Sequence, residues 1–254
     1  MPWLGIAFFF TALFYASVGF GGGSTYSALL TLAKTDYRIL PALSLICNVI
    51  VVTGGAVRFG RAGHIPWRRV LPLVLASAPL AWLGGLTPIK EVTFQALLAA
   101  SLGVTGLILL FQRENAEVGG QTLSQTTQRA RFANMAVGAA IGYLSGLVGI
   151  GGGIFLAPYL HFTKWAESKV IAGTATLFIL VNSVTGLAGQ LQKTNASGSI
   201  DPLFDHWPLV VAVAGGGLIG SHLGVQVISP SLMRRLTALL ILYVAVQLAW
   251  KLLG

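Results

Sequence analysis

Apolar residues along this chain gather into long runs: roughly Trp3 to Ala33, Leu40 to Val57, Val70 to Leu86, Phe94 to Phe111, Phe132 to Leu160, Val170 to Gln190, Trp207 to Val225 and Leu232 to Leu252. Most match the ~20 residues with which a helix crosses ~30 Å of hydrocarbon. Leu, Ile, Val, Phe and Gly fill these runs without sustained polar–apolar alternation, so helices fit and an outer-membrane barrel does not. The pattern predicts an all-α integral membrane protein with about eight to ten membrane segments.

The runs also repeat. Val18-Gly19-Phe20-Gly21-Gly22-Gly23 returns as Val148-Gly149-Ile150-Gly151-Gly152-Gly153, an offset of 130 residues. With small gaps the alignment continues: Asn48 falls on Asn182, Gly55 on Gly189, Gly63-His64-Ile65 on Gly198-Ser199-Ile200, Pro72 on Pro208 and Gly84 on Gly220. Apolar composition alone does not match glycine, proline and asparagine positions in this way. The chain therefore divides into a first transmembrane repeat, residues 1–111, a linker, 112–131, and a second repeat, 132–254. The polar segment from Gln112 to Arg131 is too short to bury a core of its own.

The first apolar stretch is too long for one straight crossing, and Gly21-Gly22-Gly23 lies at its middle. Either a crossing helix is interrupted there, or two segments fold back as a re-entrant hairpin. With a broken crossing helix, Lys and Arg divide nine to seven between the faces. With a hairpin, eleven (Arg58, Arg61, Arg68, Arg69, Arg113, Arg129, Arg131, Lys164, Lys169, Arg234 and Arg235) share one face, against Lys34, Arg38, Lys90, Lys193 and Lys251. The positive-inside rule then puts the linker in the cytoplasm and both termini outside it. Each half would make an odd net number of crossings, so the halves would be inverted repeats about an axis in the membrane plane.

Composition narrows the class further. Of 254 residues 55% are hydrophobic and 9% charged, with a mean hydropathy of +0.79; too few ionic groups exist to cover a water-soluble globule. The net charge of +9 is scattered over short loops, which argues against nucleic acid and for topology signals in a cell membrane. The N-terminus lacks the features of a cleaved signal peptide, so Trp3 onward is expected to remain as the first helix. The single cysteine, Cys47, excludes a disulfide framework and is expected to pack as a small apolar residue. Trp67, Trp82, Trp165, Trp207 and Trp250 fall near predicted helix ends, as interfacial anchors do.

Candidate chemistry centres on the glycines. Three in succession weaken a helix by ~1 kcal/mol each relative to alanine. A helix that begins at mid-membrane, however, offers unpaired amides and a positive dipole end to an anion. Ser24 and Thr25 follow the first triplet and could add hydroxyl donors, whereas Ile154 and Phe155 follow the second, which makes the half-sites unequal. The competing reading, that the glycines only permit close helix packing, predicts them every fourth residue on one face and not three in a row. Among the few polar residues inside apolar runs are Thr174, Thr176, Asn48 and Asn182. The asparagines, paired by the repeat, are expected to meet near the pseudo-axis and donate to the bound anion. His222 lies near the end of an apolar run, where an interfacial role outweighs a catalytic one; His64, His161 and His206 lie in or near loops.

On these residues the chain resembles the TauE/SafE family, the sulfite exporter or toluene-sulfonate uptake permeases. The resemblance rests on G-x-G-G-G at Gly19–Gly23 and Gly149–Gly153, on Pro158 and on Gly173-Thr174. It implies two homologous halves, a small sulfur-containing anion such as sulfite, a sulfonate or sulfoacetate as substrate, and a site lined by Gly21, Gly22, Gly23, Gly151, Gly152 and Gly153. Ala28 stands where the second repeat has Pro158, and the first repeat lacks a Gly-Thr pair, so the site is not strictly symmetric. Neither cofactor nor metal is implied.

No Asp or Glu lies within a membrane run, which argues against a carboxylate proton relay and favours export, driven by a potential negative inside. Proton-coupled uptake of sulfonates or small carboxylates is the alternative transport reading. An intramembrane enzyme would need catalytic groups at one depth, and only His222 with a serine offers itself. An assembly or scaffold protein would need large docking loops, and the longest here are about twenty residues. The expected partners are the small anion and the lipid bilayer; no oligomeric state follows from the pattern.

Overall fold

The computed structural model describes residues 2–18, 20–111, 128–196, 203, 205–223 and 230–253. Most of the linker and Gly19 lie outside these, as does the Gly198-Ser199-Ile200 segment of the repeat alignment. Ten α-helices and no strand occur among the described residues: α1 Pro2–Val18, α2 Gly23–Leu32, α3 Leu40–Arg61, α4 Trp67–Leu86 and α5 Glu91–Phe111, then α6 Gln128–Val148, α7 Gly153–Phe162, α8 Ser168–Ala196, α9 Trp207–Leu223 and α10 Pro230–Leu253. By length and composition α3, α4, α5 and α8 are able to cross a bilayer; α1, α7, α9 and α10 contain shorter apolar stretches.

Of the two courses open for the glycine interruptions, the chain takes the hairpin. The rings of Phe8 and Tyr26 lie 4.9 Å apart, although eighteen residues of continuous helix would separate them by about 27 Å. In the second half the Tyr159 hydroxyl donates to Asn134 Oδ1 at 2.8 Å, joining α7 back to α6. The returning arms α2 and α7 have ten residues each and so span about 15 Å, half the hydrocarbon thickness. Both arms stop the same way. Lys34 and Lys164, the positive-φ residues other than glycine among those described, close them with φ of 55° and 49°. Thr35 N–H then donates to the Leu30 carbonyl and Trp165 N–H to that of Leu160. Such left-handed termination satisfies the last helical carbonyls, and the two lysines keep the 130-residue offset of the glycine motifs.

Packing between helices follows the same exchange. A Cβ on Gly84 of α4 would collide with the Tyr143 carbonyl of α6; one on Gly220 of α9 would collide with the Leu13 carbonyl of α1. Gly84 aligns with Gly220 and Tyr143 with Leu13, so one backbone-to-backbone approach is made twice. Each half thus lends its fourth helix to the other. α4 closes an apolar core with α7 and α8 through Val70, Leu73, Leu156, Leu160 and Phe178, while Val213 of α9 joins Phe8, Ala12 and Val51 of α1 and α3.

α3 and α8 pack antiparallel, and so do α5 and α10. Leu45, early in α3, faces Gly186, late in α8, and Phe59 faces Gly173. Along α5 and α10, Gly103 stands beside Ala245 and Gly106 beside Leu242, and Glu91 is 3.9 Å from Lys251 at the far end. A Cβ built on Gly103 would stand 3.8 Å from that of Ala245, the mean spacing across a disulfide. In a Cys47→Ala background, Gly103→Cys with Ala245→Cys is therefore expected to cross-link on oxidation. The link should hold the halves together on a non-reducing gel after proteolysis within 112–127. Two separate fragments would exclude this register.

Candidate functional site

The two glycine turns converge on Asn48, a fully buried side chain eight residues into α3. Its Nδ2 donates to the Ile150 carbonyl, in the second turn, at 3.2 Å. A Cβ on Gly21 would lie 2.7 Å from Asn48 Oδ1, and one on Gly151 would lie 2.6 Å from Nδ2. On Gly23 it would collide with both Asn48 and the Ile150 carbonyl. Close approach therefore forbids any side chain at these positions. Ile179 of α8 closes the other side against Gly21, Gly151 and Gly153.

Conformation divides the two motifs. Gly149, Gly151 and Gly152 have φ of 85°, 85° and 76°, a region costly to residues with a Cβ. Gly22 has an ordinary φ of −92°. The second turn needs glycine for its backbone as well as for space, whereas Gly21 and Gly23 answer to crowding alone.

Gly22 and Gly152 are the N-caps of α2 and α7, and neither end has a side-chain cap. Ordinarily Ser, Thr, Asp or Asn would accept from the first amides. Here the amides and positive dipole ends of two short helices are directed to the middle of the molecule without a carboxylate or hydroxyl to neutralise them. Such a pair of ends can bind an anion. The first turn is anchored from beneath, since Ser27 donates to Ser44 Oγ at 3.1 Å and Ser44 to the Gly23 carbonyl at 3.0 Å.

The remaining sequence candidates take separate places. Thr25 is committed to structure: its hydroxyl lies 3.0 Å from that of Tyr15, which also meets Thr237 of α10 at 2.9 Å. Ser24 is buried in the first turn of α2. Asn182 donates to the Phe178 carbonyl of its own helix at 2.8 Å. Asn48 and Asn182 therefore do not hydrogen-bond to each other, and the Oδ1 of each is buried without a hydrogen-bond partner. Thr176 donates to the Ala172 carbonyl at 2.8 Å. Thr174 is buried, but about 13 Å along α8 from Ser183. His222 is exposed at the end of α9, with Nδ1 3.0 Å from the Leu218 carbonyl.

Two residues outside the candidate set join the neighbourhood. Ser183 Oγ would lie 3.2 Å from a Cβ on Gly151 and is buried without a hydrogen-bond partner. Its place beside Asn182 in an intramembrane helix was the available signal. Arg58 reads in sequence as a loop charge, but lies in the last turn of α3. Its guanidinium donates to the Ala16 carbonyl of α1 and, at 3.3 Å, to the Ser221 carbonyl of α9. A cation thus caps two C-terminal helix ends, favourably for both dipoles, five residues before Gly21. In the second half Gln190 caps α6 instead, with Nε2 2.7 Å from the Gly146 carbonyl. Neutral on one side and charged on the other, the caps sharpen the inequality of the half-sites.

Cavities open toward both ends of the molecule. One of about 920 Å³ is lined by Lys34, Asp36, Arg38, Glu91 and Lys251. Another of about 690 Å³ lies among Arg68, Arg69, Arg131, Leu160 and Trp165. Between them the turns are closed by the packing around Asn48.

The family described as "Sulfite exporter TauE/SafE" matches residues 4–248. A "Probable membrane transporter protein y4hK" of Sinorhizobium fredii (strain NBRC 101917 / NGR234) is 32% identical over 247 residues, covering 97% of each chain. A "Probable membrane transporter protein" of Xylella fastidiosa (strain 9a5c) is 25% identical, over 91% of this chain and 88% of its own. The "Probable membrane transporter protein MJ0441" of Methanocaldococcus jannaschii is 23% identical over 92% and 90%. No solved structure matches.

Asn48→Ala should lower the stability of the detergent-solubilised protein by about 1–3 kcal/mol, because it leaves the buried Ile150 carbonyl unpaired. Ser183→Ala, which breaks no hydrogen bond, should melt with the parent. Thermal unfolding of both variants checks this contrast.

Proposed function

The chain belongs to the sulfite exporter TauE/SafE family, and from that membership we propose that it moves a small sulfur-containing oxyanion, of the sulfite, sulfonate or sulfoacetate type, out of the cell. As a member of a family of membrane transporters it performs translocation and not a covalent reaction. The observation that carries the proposal is the meeting of two uncapped helix N-termini, at Gly21–Gly23 and Gly151–Gly153, on the single amide of Asn48.

That arrangement suits an anion that must be released again. Amide dipoles and hydroxyls attract an oxyanion without a buried Lys or Arg, which would hold it too firmly and cost several kcal/mol to desolvate. The Ser183 hydroxyl and the Asn48 Nδ2 hydrogen not given to the Ile150 carbonyl supply side-chain donors, and Ile179 forms the apolar wall. Alternating access would open the centre first toward one end of the molecule and then toward the other. The repeats are proposed to be inverted, a reading supported by the antiparallel α3/α8 and α5/α10 pairs. Because α4 and α9 are exchanged between halves, the bodies that move would be α1–α2–α3–α9 and α6–α7–α8–α4.

The protein is proposed to lie in the cell's inner membrane with the Arg61, Arg68, Arg69 and Arg131 end in the cytoplasm and both termini outside. A potential of 100 mV, negative inside, then favours exit of a monovalent anion by about 2.3 kcal/mol, an equilibrium gradient of about fiftyfold without a coupled ion.

In proteoliposomes sulfite flux should be electrogenic and should follow the sign of an imposed potassium diffusion potential. Asn48→Ala should reduce it by at least about tenfold, the equivalent of one lost anion hydrogen bond. Flux indifferent to potential would exclude uniport. Topology is checked separately: a reporter fused after Gly254 should be active only outside the cytoplasm, and cytoplasmic activity would reverse the orientation.

A further inference from the structure

The 690 Å³ cavity beside α4 and α6 gathers cationic side chains over an apolar floor. Arg68 and Arg69 occupy the first turn of α4, Arg131 the start of α6, and the three guanidinium side chains line one cavity with Gln128 and Asn134. Among the described residues no carboxylate lines it. Helix stability does not account for the arrangement, because the first turn is where cations oppose the macrodipole. Topology accounts for arginines on this face, but not for their convergence from two helices on one hollow.

The lining has a second property. Below the arginines it is apolar, with Leu73 and Leu160 buried at its floor and Trp165 at its wall. Arg69 is held against Trp165, its guanidinium carbon 5.6 Å from the ring centroid and its Nη1 3.4 Å from the Trp165 carbonyl. Arg68 and Arg131 remain exposed at the rim. Phe132 of the lining, 62% exposed, continues outward into Leu71 and Leu75 of α4, 52% and 63% exposed. A small inorganic anion would match the arginines and leave the rest unused. An amphiphile matches both, its phosphate on the guanidinium groups and its chains along Leu71, Leu75 and Phe132.

We propose that this cavity binds the headgroup of an anionic phospholipid. The phosphodiester lies between Arg68 and Arg131, and the acyl chains cover the outer face of α4. The lipid thereby joins α4, the helix lent by the first half, to α6 of the second, and the proposal stands independently of the transported substrate.

The test is native mass spectrometry of the full chain purified in detergent and titrated with phosphatidylglycerol or phosphatidylcholine. Phosphatidylglycerol should bind and phosphatidylcholine should not compete at equal concentration. Each neutralised rim arginine is expected to weaken binding about fivefold, and R68Q/R131Q about thirtyfold. R61Q, an exposed arginine outside the cavity, should bind as the parent does. Equal binding of the two lipids, or an equal loss in R61Q, would overturn the proposal by showing nonspecific adhesion. Displacement of the lipid by inorganic phosphate or sulfite at matching concentration would overturn it by assigning the cavity to a soluble anion. The single variants keep the test decisive if the double variant does not fold.

Discussion

A backbone amide in hydrocarbon must be paired by its own helix, buried against protein, or turned toward something that needs it. Almost everything particular to this molecule follows from how that constraint is met at residues 20–23 and 149–153. The chain stops each entering helix, turns on glycine, and starts a ten-residue helix in the opposite direction. At the two new starts the usual capping side chain is missing. The opposite ends are carefully satisfied: Arg58 and Gln190 donate to carbonyls at the ends of α1 and α6, and left-handed Lys34 and Lys164 close α2 and α7. Carbonyls are thus paired at the helix ends around the glycine turns, while the first amides of α2 and α7 are left without a side-chain cap.

The exchange of fourth helices fixes the two bundles whose α3 and α8 enclose that centre, through Asn48 on one side and Ile179 on the other. Had each half packed only on itself, the turns would have met across a flat boundary between two bundles. Instead α4 is built into the second half and α9 into the first, with glycines letting the carbonyls of one helix press against the bare backbone of the next along both seams. Packing of this kind tolerates little change, since an added methyl meets backbone and not a flexible side chain. The two seams are therefore closely fitted within each bundle, and the bundles meet each other where α3 packs on α8.

The symmetry is approximate, and its departures cluster near the site. One turn is left-handed at three glycines and the other has an ordinary φ at Gly22. One hairpin has Thr25 held by Tyr15, whereas the other carries Ile154 and Phe155 at the matching positions. A charged cap on one side opposes a neutral one on the other. The two turns therefore present chemically unequal surroundings.

Helical class, duplication and glycine turns were legible along the chain, because each depends on local periodicity or on the identity of residues at a fixed offset. The same is true of the inequality announced by Ser24 and Thr25 against Ile154 and Phe155. What a linear pattern does not carry is which surfaces meet. The choice between a hairpin and a broken crossing was settled by Phe8 meeting Tyr26, two residues with no sequence relation. Asn48 and Asn182 align in the sequence repeat, yet one donates across to the Ile150 carbonyl and the other to its own helix, because the distances in the assembled structure and not the alignment select partners. Arg58 looked like a loop charge until two helix ends were brought to it. Residue order alone thus accounts for the elements and their repetition, through helix periodicity and the conformational freedom of glycine. The exchange of α4 and α9 and the partners of each buried amide came from packing in three dimensions, because they depend on which backbones can approach closely once all ten helices are assembled.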